Sequence, residues 1–111
     1  MDEATRTEIE SRMIDEIAET EEKILELEKL VQPVAPDNAL GRLTRMEALN
    51  DKAVNEAALG QAQERLHLLE LALTRVNEKG FGKCTACERS IPVERLLLMP
   101  QSTKCVECAA G

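Results

Sequence analysis

The chain has 111 residues, 43% of them apolar, a single aromatic residue (Phe81) and a net charge of −7. That length holds one ordinary domain at most, or an extended element with a very small module. Eleven acids against four bases between residues 1 and 31 put the whole net charge in the first segment, which disfavours non-specific binding to a phosphate backbone as the main activity.

The apolar set is Leu, Ile, Val, Met and Ala. It suits a narrow helix–helix seam better than a thick globular core. So short a chain buries little, and a staple is expected. The N-terminal MDEATRTEIE has neither a basic leader nor an apolar signal core. No run approaches the roughly 18 apolar residues of a membrane helix. The expectation is a cytoplasmic protein without membrane association, where paired cysteines serve as metal ligands more readily than as disulfides.

Residues 5 to 31 read as one amphipathic helix. Ile9, Met13, Ile17, Thr20, Ile24, Leu27 and Val31 recur at steps of three or four, the spacing of one helix face. Pro33 and Pro36 end it. Residues 32 to 38 form the turn, with Asp37 or Asn38 offered as the next N-cap.

A second helix is predicted from about residue 39 to 77. Its later half carries Leu59, Ala62, Leu66, Leu69, Leu73 and Val76 at steps of 3, 4, 3, 4, 3. Its earlier half gives a weaker stripe of Leu43, Met46, Ala53, Ala57 and Ala58, with Gly60 interrupting it. Gly80 is the expected C′ residue. Two helices joined by so short a turn lie antiparallel. The longer second helix is expected to run past the start of the first and to dock its leucine-rich base on the cysteine-bearing C-terminal segment. Periodicity alone is equally compatible with a plain bundle or a homodimeric coiled coil.

All four cysteines fall in GKCTACERSIPVERLLLMPQSTKCVECAA. The pattern is Cys84-x2-Cys87, seventeen residues, then Cys105-x2-Cys108. Two such pairs are a strong zinc signal. Each pair can aim two sulfurs at one point, and zinc accepts a tetrahedron of four thiolates. Lys83, Arg89 and Lys104 would offset part of the resulting charge. With four sulfur ligands no position is left for water or substrate, so one structural Zn²⁺ is expected. A redox pair, two disulfides or iron are the competing readings of the same cysteines. Phe81 is expected to wedge between this module and the helix, and His67 to lie at the seam edge or on the surface of the second helix. No Ser-His-Asp grouping and no Gly-rich phosphate loop stand out, so an enzyme is not expected. The domains are then a helical hairpin over 1–79 and a four-cysteine finger over 80–111, a mainly α fold.

The stretch LELALTRVNEKGFGKCTACERSIPVERLLLMPQSTKCVEC resembles the DksA/TraR family of bacterial transcription regulators. The matching positions are Ala72, Leu73, Arg75 and Val76; Gly80, Phe81, Gly82, Cys84 and Cys87; Ile91, Arg95 and Leu96; and Pro100, Cys105 and Cys108. The resemblance covers about a third of the chain. It implies a helical hairpin in front of the finger that enters the secondary channel of RNA polymerase, with its tip reaching toward the active site. It implies action without sequence-specific DNA contact, as a monomer. An acidic rod agrees with a channel edged by basic residues. Against the family's tip motif D-x-x-D-x-A, Asp37 and Ala39 stand for the second Asp and the Ala, while Val34 replaces the first Asp. Asp37 is therefore expected either to act near the polymerase active site or to serve as an N-cap only. Met99 and Ala109 stand where family members that bind the alarmone ppGpp carry basic residues, so that site is not expected. The C-terminal helix of longer members is expected to be missing beyond Ala110-Gly111. The competing reading is a zinc-stapled coiled-coil adaptor or homodimer with an unrelated partner. A zinc-ribbon nucleic-acid binder is disfavoured by acidity and by the lack of aromatics for base stacking.

Overall fold

The structure is a computed structural model, and it describes residues 1–32 and 42–111. The tip residues Asp37 and Ala39 lie outside the described residues. Among the described residues four helices follow one another: α1 (Glu3–Leu30), α2 (Arg42–Arg75), α3 (Val93–Leu98) and α4 (Val106–Ala110). The first two form an antiparallel hairpin, and the last two belong to a small four-cysteine module at its foot. The molecule is elongated, 62 × 29 × 18 Å.

α1 starts earlier than apolar spacing alone predicts because Asp2 caps it. The Asp2 carboxylate accepts a hydrogen bond from the Thr5 backbone N–H at 2.8 Å. This satisfies one of the free donors of the first turn. The Thr5 side chain first, and its backbone N–H second, hold the Asp2 carboxyl below its ordinary range by hydrogen bonding to the charged form.

The buried face of α1 is Ile9, Met13, Glu16, Thr20, Ile24 and Leu27. Glu16 thus takes the seam position expected of Ile17, which is only half-buried. On α2 the buried residues are Ala62, Leu69 and Ala72, with Val76 just beyond its end. Leu59, Leu66 and Leu73 pack partly buried beside them. One cluster joins Ile24 and Leu27 to Ala58, Leu59, Ala62 and Leu66. A second joins Ile9 and Met13 to Ala72 and Val76. The order of these contacts fixes the antiparallel pairing.

It also corrects the predicted stagger. Ile9 and Met13 already reach the end of α2, so α2 has no surplus at the foot. With Leu27 beside the 58–62 turns, the surplus lies at the other end. Residues 42 to about 55 of α2, roughly 20 Å of helix at 1.5 Å per residue, extend past Leu30. The expected stripe of Met46, Ala53 and Ala57 faces solvent there. The half-buried positions are instead Ala48, Lys52, Asn55, Ala58 and Leu59. The seam's spacing continues, but polar residues occupy it.

α2 ends at Arg75 and the chain descends through successive tight turns. The N–H groups of Glu78, Phe81 and Lys83 donate to the carbonyls of Arg75, Glu78 and Gly80 at 2.9, 3.1 and 3.2 Å. Gly80 does not take the positive φ expected of a C′ glycine; Gly82 does, at +88°. The foot of the hairpin and the module then share one core. Ile9, Met13, Ala72, Val76, Cys84, Ile91 and Leu96 are buried together, with Phe81, Leu97, Cys105 and Cys108 packed against them. Phe81 stands at the junction, as its position in the sequence predicts.

Candidate metal centre

The first cysteine pair sits in a tight loop closed by backbone bonds. Lys83 and Ser90 form an antiparallel bridge. Cys84 N–H donates to Arg89 O at 2.8 Å, Glu88 N–H to Cys84 O at 2.9 Å, and Ile91 N–H to Gly82 O at 2.7 Å. Glu88 closes the loop with a φ of +62°, in the left-handed region that non-glycine residues rarely occupy. The loop brings Cys87 back beside Cys84, as two sulfurs for one ion require.

The second pair is built differently from the first. Cys105 is the N-cap of α4, and Cys108 lies in its first turn. A spacing of three residues puts both on one helix face. Two bonds hold the halves in register: Thr85 N–H donates to Thr103 O at 2.9 Å, and Arg95 Nε donates to Lys104 O at 3.1 Å.

The four sulfurs of Cys84, Cys87, Cys105 and Cys108 all lie within 4.8 Å of one another. Cys87 Sγ and Cys105 Sγ are 3.7 Å apart. A tetrahedron with Zn–S bonds near 2.3 Å has sulfur–sulfur edges of about 3.8 Å. The donor set therefore fits one structural zinc, with no donor other than sulfur in the group. His67 is exposed and stands outside it.

Electrostatics favour a cation here. The Cys105 backbone N–H, followed by those of Cys87 and Ala86, outweighs burial and pulls the Cys84 thiol down to about 6. The Ala86 N–H lies 3.4 Å from its sulfur. Cys108 moves the other way: the sulfurs of Cys105, Cys84 and Cys87 crowd it and push its thiol up to about 12. Without a metal the group cannot carry four thiolates near neutral pH. A divalent ion removes that conflict. Arg89, expected to offset the thiolate charge, pairs with Glu107 at 3.6 Å on the exposed surface, where such pairs contribute little.

One cluster has no plain signal in the sequence. Glu16 Oε2 accepts from Arg65 Nη2 at 2.7 Å across the hairpin, and Glu16 Oε1 lies 3.1 Å from Arg12 Nη2. Arg12 Nε also donates to Leu97 O at the end of α3, at 3.1 Å. The Arg12–Glu16 spacing of four is a readable hint; the cross-hairpin arm to Arg65 needs the stagger.

Residues 79–111 match the family model of the prokaryotic dksA/traR C4-type zinc finger. The whole chain superposes on a solved structure described as transcription factor DksA2 from Pseudomonas aeruginosa, with a TM-score of 0.79 and 24% sequence identity. That match covers 99% of this chain and 84% of the other. No curated protein matches by sequence. Among the described residues no helix is long and apolar enough to cross a membrane. The C-terminal segment is thus similar to a dksA/traR C4-type zinc finger, and it stands at the foot of a helical hairpin whose fold matches that of the DksA2 structure.

Proposed function

We propose that this chain is a DksA-like transcription regulator, not an enzyme, that binds RNA polymerase through the secondary channel. In this reading Cys84, Cys87, Cys105 and Cys108 ligate one structural zinc. The zinc fixes the foot of the hairpin, and the tip with Asp37 and Ala39 acts near the polymerase active site. The observation that carries the reading is the common core of hairpin and finger. Ile9, Val76, Cys84 and Leu96 are buried in one cluster, so a rigid prong stands on a metal-clamped base. α2 alone, with 34 residues, is roughly 50 Å long at 1.5 Å per residue, a length that suits reach into a partner's interior. The acid-rich α1 favours a passage lined by basic groups.

Co-purification of the zinc-loaded chain with core RNA polymerase tests it. Retention of the polymerase, weakened by salt and competed by another secondary-channel factor, is expected. No retention at low salt would end the proposal. A second reading, a zinc-stapled adaptor or homodimer, draws on Met46, Leu49 and Val54, which stand exposed on the far half of α2. Sedimentation separates the two, since a homodimer doubles the mass.

A further inference from the structure

The hairpin and the finger touch through an apolar core and through one polar chain. The polar chain runs from Leu97 O to Arg12 Nε, from Arg12 Nη2 to Glu16 Oε1, and from Glu16 Oε2 to Arg65 Nη2. It begins on α3, crosses α1 and ends on α2. Glu16 and Thr20 are the buried polar residues among those described. Thr20 satisfies itself on the Glu16 carbonyl at 2.6 Å, so the carboxylate of Glu16 is left to the two guanidinium groups.

α3 is positioned by the cysteine module. Leu96 is buried against Cys84, and Arg95 is tied to the Lys104 carbonyl, next to Cys105. The last carbonyls of a helix lack partners within it, and Arg12 supplies one to Leu97. If the sulfurs lose their ion, the loop and α4 lose their common anchor, and with them the position of that carbonyl. Arg12 then gives up one of its two partners, and the carboxylate at mid-arm loses a fixed cation.

We propose that Arg12, Glu16 and Arg65 form a relay through which metal loading of the finger sets the pairing of the two long helices midway along the arm. Arg12 is a positioning residue: it touches no sulfur and acts through Leu97 on one side and Glu16 on the other. The proposal rests on the zinc assignment and is independent of the polymerase reading. Preparations without stoichiometric zinc would refute the zinc assignment itself, a distinct failure.

Coupling is reciprocal, so a change at Arg65 must alter zinc affinity through Arg12. The experiment is a double-mutant cycle on zinc affinity, measured by competition with a chromophoric chelator. The variants are R65Q, R12Q and R12Q/R65Q, with helix content checked by circular dichroism. R65Q is expected to weaken zinc binding by roughly fivefold, and to change it by less than about twofold in the R12Q background. An unchanged affinity in R65Q, or an equal loss in both backgrounds, overturns the relay and leaves the apolar core as the coupling. Amide exchange gives a second readout. Zinc withdrawal is expected to speed exchange around Ile24 and Ala62 in the native chain and to add little in zinc-loaded R12Q, where those amides are already fast. Equal acceleration in both proteins, global unfolding included, also overturns it.

Discussion

Cys87 Sγ and Cys105 Sγ stand 3.7 Å apart, although one belongs to a backbone loop and the other to the cap of a helix. Only a shared ion makes that separation favourable for two thiolates. Replacing Cys105 with Ser is expected to drop zinc content from about one per chain to below half, by atomic absorption. Because Cys84 shares its core with Ile9 and Met13, the loss reaches the foot of the hairpin. A stability loss above ~3 kcal/mol is expected on chelation. Thermal melts that do not change with chelator would contradict this.

The two shifted thiols set the pH behaviour. Zinc needs thiolates, so binding releases protons and affinity falls as pH falls. Cys84 is lowered to about 6, so in the metal-free protein its ionised form contributes stability above its ordinary value, and that contribution is lost as pH falls through about 6. Cys108 is raised to about 12, so its protonated form favours the metal-free fold until pH rises toward that value. Zinc is therefore expected to stay bound at pH 8 and to leave steeply below about pH 6, where every ligand must be deprotonated against the solution. A release curve flat to pH 4 would show that the sulfurs are not the ligands.

Glu16 tests how far a polar seam residue stabilises the arm. Its side chain is 12% exposed, while Arg65 and Arg12 keep 44% and 47%. Both guanidinium groups are nearly half exposed, so water screens the two pairs. Glu16→Ala is therefore expected to cost only ~0.5–1 kcal/mol, discounted for solvent screening. Glu16→Leu is expected to be neutral or stabilising in urea melts, since it extends the apolar seam between Met13 and Thr20. A loss above ~3 kcal/mol for Glu16→Leu would mean that the pair fixes the hairpin outright.

The hairpin, the finger and its four sulfurs are legible in the sequence because each has a local signature: a step of three and four, a proline pair, two C-x-x-C pairs. The stagger of α1 on α2 has no such signature. It depends on Ile9 and Met13 meeting Ala72 and Val76, residues some sixty apart that no local rule pairs. Glu16 is hidden for the same reason, since a charged residue looks like a solvent-facing one until its partner Arg65 is placed opposite. In the far half of α2 the seam spacing persists through Lys52 and Asn55, and reading only apolar residues shifts the stripe onto exposed Met46 and Ala53.

That stagger predicts where truncation is felt. Leu69 has no exposed surface, whereas Val54 is 68% exposed. Leu69→Ala is expected to cost ~2–5 kcal/mol, from lost burial and the cavity left behind. Val54→Ala should lie within about 0.5 kcal/mol of the native chain. Equal losses at the two sites would mean that the far half of α2 is packed in solution.

The two glycines of the junction make the sharpest local contrast. Gly82 has φ +88°, and a Cβ there would meet the end of the Met1 side chain at 2.7 Å. The methionine end is flexible and can give way, but the backbone cannot change sign without breaking the bond from Ile91 N–H to Gly82 O. Gly82→Ala is thus expected to cost ~1–2 kcal/mol through the left-handed backbone alone. Gly80 has open space where a Cβ would stand and no positive φ. Gly80→Ala is expected to be neutral or to stabilise by up to ~1 kcal/mol, by restricting the unfolded chain. Chemical denaturation of the two zinc-loaded variants decides it: if Gly80→Ala loses more than Gly82→Ala, the turn after α2 closes on Gly80, as a simple helix cap would, and not on Gly82.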